Sequence, residues 1–155
     1  MRRVAAHDHG ATSLNRLAAS ATTHCLTGCA IGEVLGFVVG TWRGWGDVPT
    51  MVLAVGLAYV FGYSFTLGPL LRSGIDLRVA LALAFAADTL SITVMEIVDN
   101  GVMLVVPGAM DAELGDGLFW GSLAFSLAVA WVAAFPVNRW LIARGRGHAV
   151  VHGRH

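Results

Sequence analysis

Four apolar runs, each near or above the roughly 20 residues that carry a helix across a bilayer, dictate what this chain can become. They cover approximately residues 22–42, 48–71, 77–106 and 117–142. Inside hydrocarbon, every backbone N–H and C=O must find its partner within the protein, so runs of this length cross as helices. A hydrophobic content of 56% and a mean hydropathy of +0.69 over 155 residues fit one integral membrane domain rather than a soluble one. The connections are short, so sequential neighbours run antiparallel. The expected fold is all-α, an integral membrane four-helix bundle of up-down order. A polar N-terminal tail (1–21) and a basic, His-containing C-terminal tail (143–155) flank the four-span domain (22–142). With Arg2, Arg3, His7, Asp8, His9, Asn15 and Arg16, the first twenty residues are too polar to be the core of a signal peptide.

Charge asymmetry sets the orientation. With both termini cytoplasmic, the inner side holds nine Arg: Arg2, Arg3, Arg16, Arg72, Arg78, Arg139, Arg144, Arg146 and Arg154. The outer side holds Arg43 alone, beside Asp47, Asp111, Glu113 and Asp116. That is a strong positive-inside bias. Trp42, Trp45 and Trp120 fall at the outer interface and Trp140 at the inner one, as aromatic belts require. The basic tail from Arg139 to His155 sets topology; its net effect on lipid binding is secondary. Net charge is zero, and nothing in the chain points to nucleic acid.

Acids inside the spans carry the functional signal. The third run holds Asp88, Glu96, Asp99 and Asn100, and the first holds Glu33 beside His24, Cys25 and Cys29. An acid at the bilayer centre costs roughly 2.5–3.5 kcal/mol to insert, and such residues mark functional sites. Apart from Arg78 at the very start of the third run, no Lys or Arg lies within either run to neutralise them, and the chain has no Lys at all. A proton, a metal cation or a partner's side chain must supply the missing charge. At about 100° per residue, Asp88, Met95, Glu96, Asp99 and Met103 share one face of the third span. Leu90, Val94, Ile97, Val98, Gly101 and Val105 form a purely apolar opposite face. Asp99 and Asn100 lie towards the outer end of that run.

On the first span, Gly28, Gly32, Gly36 and Gly40 recur every four residues and form a stripe that lets another backbone approach closely. The stripe suits tight packing in the bundle or a homo-oligomer interface, and the expected assembly is a homo-oligomer formed along it. Cys25, Cys29, Glu33 and Phe37 form the adjacent stripe, about 100° round. Tyr59 and Tyr63 give the second span a modest polar side, and Pro69 closes it. Pro136 interrupts the fourth span.

Cys25 and Cys29, at i and i+4, hold their Cβ atoms about 5–6 Å apart. A relaxed disulfide needs about 3.5–4.5 Å, so they stay thiols. Two thiols at this spacing suit a shared soft metal ion, with His24 or Glu33 as further ligands. Such a mixed set fits Zn, Co, Ni or Cu. The alternative is that both cysteines are small buried hydrophobes. The tail histidines His7, His9, His148, His152 and His155 are further, weaker metal donors. No hydrolase nucleophile motif, phosphate loop, dinucleotide fingerprint or haem-binding Cys pair is present, so the chain reads as a non-enzyme without an organic cofactor.

Three runs also resemble a known group: His24-Cys25-Leu26-Thr27-Gly28-Cys29 on to Glu33 and Gly36; Asp88-Thr89-Leu90-Ser91 through Met95-Glu96 to Asp99-Asn100; and Phe135-Pro136-Val137-Asn138-Arg139-Trp140 onward to Gly147-His148. They are similar to a family of small bacterial inner-membrane proteins known only as a domain of unknown function, over about residues 22–150. The resemblance implies a multi-span protein of the bacterial inner membrane and brings no activity or functional residue with it. The leading expectation is a protein that binds, and conducts or relays, a transition-metal cation through His24, Cys25, Cys29, Glu33, Asp88, Glu96 and Asp99. The rivals are proton or other cation handling by the carboxyl groups, and an accessory subunit whose acids pair with a partner's Arg or Lys.

Overall fold

The computed structural model describes the backbone of residues 4–144 and the side chains of residues 13–144. The side chains of His7 and His9, and all of Arg146, His148, His152, Arg154 and His155, lie outside the described residues. Four helices follow in order: α1 (Val4–Arg43), α2 (Asp47–Arg72), α3 (Leu77–Val105) and α4 (Gly117–Ala143). Each contains a stretch long and apolar enough to cross a membrane. Inter-helix contacts fix the directions. Gly28 meets Gly62 and Gly40 meets Thr50, so α1 and α2 are antiparallel. Tyr63 bonds Thr89 and Tyr59 bonds Thr93, and Asp99 pairs with Ser126 where Ser91 pairs with Asn138. The expected up-down all-α bundle is the observed one.

Helix ends follow local chemistry. Two glycines with positive φ, Gly44 (66°) and Gly74 (83°), stop α1 and α2. At each, paired backbone bonds close the last turn: Trp45 N–H to Gly40 O with Gly44 N–H to Thr41 O, and Ile75 N–H to Leu70 O with Gly74 N–H to Leu71 O. This is the left-handed glycine cap that satisfies orphan carbonyls. Asp76 caps α3 by accepting from Arg78 N–H at 2.9 Å.

Two differences from the sequence reading have physical causes. The N-terminal tail expected over residues 1–21 is helical from Val4. Its Ala18 and Ala21 are small, strongly helix-favouring residues, and they pack on Ile142 of α4 beside Leu14 and Phe135. Arg139 Nε also donates to Asn15 Oδ1 at 2.7 Å, tying the extension to α4. The second difference concerns the glycine stripe. A methyl group on Gly28 would lie 2.8 Å from Gly62 Cα, one on Gly32 2.5 Å from Ala58 Cα, one on Gly36 2.6 Å from Ala54 Cβ, and one on Gly40 2.8 Å from Thr50 Cβ. The stripe expected to join protomers is therefore covered by α2 of the same chain. Its counterpart is a second four-residue stripe on α2, namely Thr50, Ala54, Ala58, Gly62, Thr66 and Leu70, all buried.

Aromatic side chains mark the two ends. Trp42, Trp45 and Trp120 are exposed at the end that carries the α1–α2 and α3–α4 connections, and Trp140 is exposed at the other. Arg43 stacks over Trp42 and Arg144 over Trp140, with 5.4 and 4.4 Å to the ring centroids. The apolar face assigned to α3 is the outer one, where Leu90, Ile97 and Val105 are exposed.

Gly32→Leu forces a side chain into the α2 backbone, which cannot yield as a rotamer can. Gly101 has nothing within 4 Å of the corresponding position. Thermal unfolding in detergent is expected to show Gly32→Leu destabilised by about 3 kcal/mol or more, with Gly101→Leu close to the parent. Equal tolerance at the two sites would refute the close α1–α2 seam.

Candidate functional site

Because Gly28–Gly40 face α2, the neighbouring stripe of Cys25, Cys29, Glu33 and Phe37 faces α3 and α4. All four side chains are buried, as are Asp88, Ser91, Glu96 and Asp99 of α3 and Ser126 and Asn138 of α4. Together they build a polar column inside an otherwise apolar bundle.

At the end that carries the α2–α3 connection, Asn138 uses both amide protons. Nδ2 donates to Thr22 Oγ1 and to Ser91 Oγ, each at 2.9 Å. Thr22 in turn donates to Ala18 O at 2.8 Å. One α4 side chain thus ties α1 to α3. Next along the column the Cys25 thiol donates to Asp88 Oδ1 at 3.7 Å, with Ser91 also beside it. A turn further, Cys29 lies against Glu96.

The column ends in three acids. Glu33 is 1% exposed, and no N–H or O–H donor reaches either of its carboxyl oxygens. Its polar neighbours are the carboxyl groups of Asp99 and Glu96. Glu96 Oε1 likewise receives no donor, and Oε2 receives a long 3.4 Å bond from Asn100 Nδ2. Ionised carboxylates are acceptors only, so two carboxyl groups in contact bond to each other only when one carries a proton. Ser126 Oγ lies 2.5 Å from Asp99 Oδ1 and 2.8 Å from Leu123 O. Its one proton serves one acceptor at a time. The hydroxyl either donates to the Asp99 carboxylate or turns to Leu123 and accepts from the Asp99 acid.

The structure thus separates the residues singled out from the sequence. Glu33, Glu96 and Asp99 meet. Asp99 is buried within the bundle, with 2% of its surface exposed. Cys29 adjoins this cluster, and Cys25 and Asp88 form a second station. His24 belongs to neither: its Nε2 is 3.2 Å from Phe65 O, and its ring meets the Phe65 ring edge-on. The cause is Pro69, which lies inside α2 instead of ending it. Proline has no N–H to give the carbonyl four residues back, which is that of Phe65, and the His24 ring N–H takes its place. Among the described residues, no group of three or more His, Cys, Asp or Glu is arranged to hold a metal ion. The shared ion site expected of Cys25 and Cys29, with His24 or Glu33 as a further ligand, is not assembled among the described residues.

Tyr59 and Tyr63 bond Thr93 and Thr89 at 2.6 and 2.8 Å instead of reaching the acids. Both threonines give their protons to carbonyls one turn back, so the tyrosines are the donors. Met95 and Met103 are buried packing groups in the bundle core. The sequence reading missed Thr22, Ser91, Ser126 and Asn138. For Ser126 and Asn138 the signal was present in α4, where Ser122, Ser126, Ala130, Ala134 and Asn138 recur every four residues and are all buried.

A family model described as "Domain of unknown function (DUF4396)" matches residues 14–147. The chain belongs to that family. No curated protein and no solved structure matches it.

The structural reading of His24 has a direct check. His24→Ala strands the Phe65 carbonyl and is expected to destabilise the protein by about 1–3 kcal/mol in thermal unfolding. Pro69→Ala restores a backbone donor and should recover most of that loss in the double variant. A loss of stability that Pro69→Ala does not relieve would show that His24 acts elsewhere.

Proposed function

We propose that this family member is a membrane protein that takes up and relays protons through the Glu33–Glu96–Asp99 cluster. One observation carries the reading: Glu33 is fully buried, receives no donor, and faces two further carboxyl groups. Holding three ions of one sign together out of water costs many kcal/mol, since desolvation alone takes several per ion. The chain has no Lys, and Arg43, the basic residue nearest along α1, is about 15 Å up the helix. Protons are the smallest charges that solve this problem, and shared protons between carboxyl groups are the bonding that the contacts call for. The column of Cys29, Asp88 with Cys25, Ser91, Asn138 and Thr22 supplies hydroxyl, thiol and carboxyl stations along the bundle axis. Groups of this kind, facing a bundle interior, are what proton relays are made of.

A transition-metal site built from the same residues needs donors that converge on one point. The thiols instead lie against carboxyl groups at two different levels. In the accessory-subunit reading, a partner's Arg or Lys would have to enter between α1, α3 and α4.

The experiment is proton flux in proteoliposomes. Glu33→Gln keeps the shape of the side chain and removes the exchangeable acid. Wild-type protein is expected to dissipate an imposed pH gradient at least about 10-fold faster than the Glu33→Gln protein, with both folded and inserted. Equal rates would refute the proton reading. Metal that co-purifies with the wild type and is lost from a Cys25→Ser/Cys29→Ser double variant would restore the metal reading. A partner protein released by Glu33→Gln would favour the accessory role.

The same reading places the protein in a cytoplasmic membrane with both termini inside. Arg16, Arg72, Arg78, Arg139 and Arg144 support it by gathering at one end of the bundle. Reporter fusions after His155 and between Arg72 and Arg78 should both report cytoplasm, and one beside Asp111 the opposite side. A split result between the first two fusions would overturn this topology.

A further inference from the structure

Above the carboxyl cluster, towards the arginine-poor end, each contributing helix places an apolar side chain. Phe37 follows Glu33 by four residues on α1, and Met103 follows Asp99 by four on α3. On α4, Leu123 and Phe119 lie about one and two turns from Ser126. Phe37, Met103, Phe119 and Leu123 are all buried and form one cluster with Ala109. The rings of Phe37 and Phe119 meet edge to face, with centroids 5.3 Å apart and planes at 82°.

The upper side of this layer is the floor of a cavity of about 290 Å³, lined by Phe37 and Phe119 below and by Thr41, Asp47, Asp111 and Glu113 at its rim. The three rim acids are exposed. One aromatic layer therefore separates a polar, acid-rimmed cavity from buried carboxyl groups that lack donors. Four residues of helix put Glu33 only about 6 Å below Phe37. The opposite end of the column is covered differently, by Ala18, Ala21 and Ile142 packed together.

We propose that the Phe37–Phe119 pair, seated on Met103, is a hydrophobic gate, and that the cavity above it is the port through which hydronium or another small cation reaches Glu33. The proposal rests on the carboxyl cluster being the protein's ion-handling site. An apolar constriction blocks ions by excluding the water that must accompany them. Carboxylates at a mouth with low-dielectric walls raise the local cation concentration. Rotation of either ring would connect the cavity to Glu33 without separating the glycine-sealed α1–α2 pair.

Access and transport are tested separately. A water-soluble carbodiimide with glycine ethyl ester amidates reachable carboxyl groups, and mass spectrometry reads its rate at Glu33 in protein reconstituted into nanodiscs. Phe37→Ala and Phe119→Ala are each expected to speed Glu33 modification at least 10-fold. Phe85→Ala, at an exposed aromatic on α3 away from the cavity, should leave it unchanged. Where an alanine variant fails to fold, Phe37→Leu and Phe119→Leu serve instead, with an expected rise of at least 3-fold. Unchanged labelling in folded variants at both positions overturns the gate, even if Glu33→Gln still abolishes proton flux. Faster labelling with proton flux equal in wild-type and Glu33→Gln protein upholds the gate and refutes the proton reading.

Discussion

The close approach of the α1 and α2 backbones is the contact on which the rest of the bundle depends. Gly32 and Ala58 meet with no room for another carbon atom, and the matching holds at four successive positions of each helix. Such a seam fixes the rotation of α1 about its own axis. Turning it by one residue would drive Glu33 or Ile31 into α2 and break every contact at once. Since Cys25, Cys29 and Glu33 lie about 100° round from the glycines, this rotation aims them at α3 and α4. The glycines therefore position the acid without touching it.

The polar column in turn constrains the other half of the bundle. An unpaired polar group in hydrocarbon costs several kcal/mol, so α3 and α4 are held where their hydroxyl and amide groups meet those of α1. Asn138 does this at one end by filling both donor positions, and Ser126 does it at the other by pairing with Asp99. In the lower part of the column the Asn138 amide, the Thr22 hydroxyl and the Cys25 thiol all act as neutral donors. In the upper part, both carboxyl oxygens of Glu33 and Oε1 of Glu96 receive no donor. That gathering of carboxyl oxygens without donors at one level is what the proposed function builds on, because a purely structural polar seam has no reason to bring Glu33 and Glu96 together there.

Much of this was legible in the sequence. The run lengths give the four spans, and the wheel of α3 separates its acid face from its lipid face. The spacing of glycines and cysteines gives α1 two adjacent stripes. The partner of the glycine stripe was not legible from α1, because small-residue spacing is the same within a chain as between chains. Reading the matched stripe from Thr50 to Leu70 on α2 beside it would have decided the matter. His24 was misjudged for a related reason: proline was treated as a terminator, whereas in a membrane helix a freed carbonyl can be served by a neighbouring side chain. The polar residues of α4 were overlooked because Ser in an apolar helix ordinarily bonds its own backbone, and Ser126 does that too. Its second partner exists only in three dimensions. Depth was the remaining gap, since a run of about thirty residues does not say which of its acids lies deep.

In the proposed relay the two levels of the site bear on each other through water. With the aromatic layer closed, the oxygens of Glu33 can be served only by protons that the three carboxyl groups already hold. Water admitted from the cavity would bring donors to Glu33 and Glu96, and only then could more of the cluster be ionised together. Opening the layer and releasing a proton would then be one event. Ser126 suits this exchange, since its hydroxyl can turn between Asp99 and Leu123 and so serve Asp99 with or without its proton. The cluster's contacts at α4 thus need no rearrangement of helices to accommodate either state, and the moving parts of the proposed gate reduce to two rings and one hydroxyl.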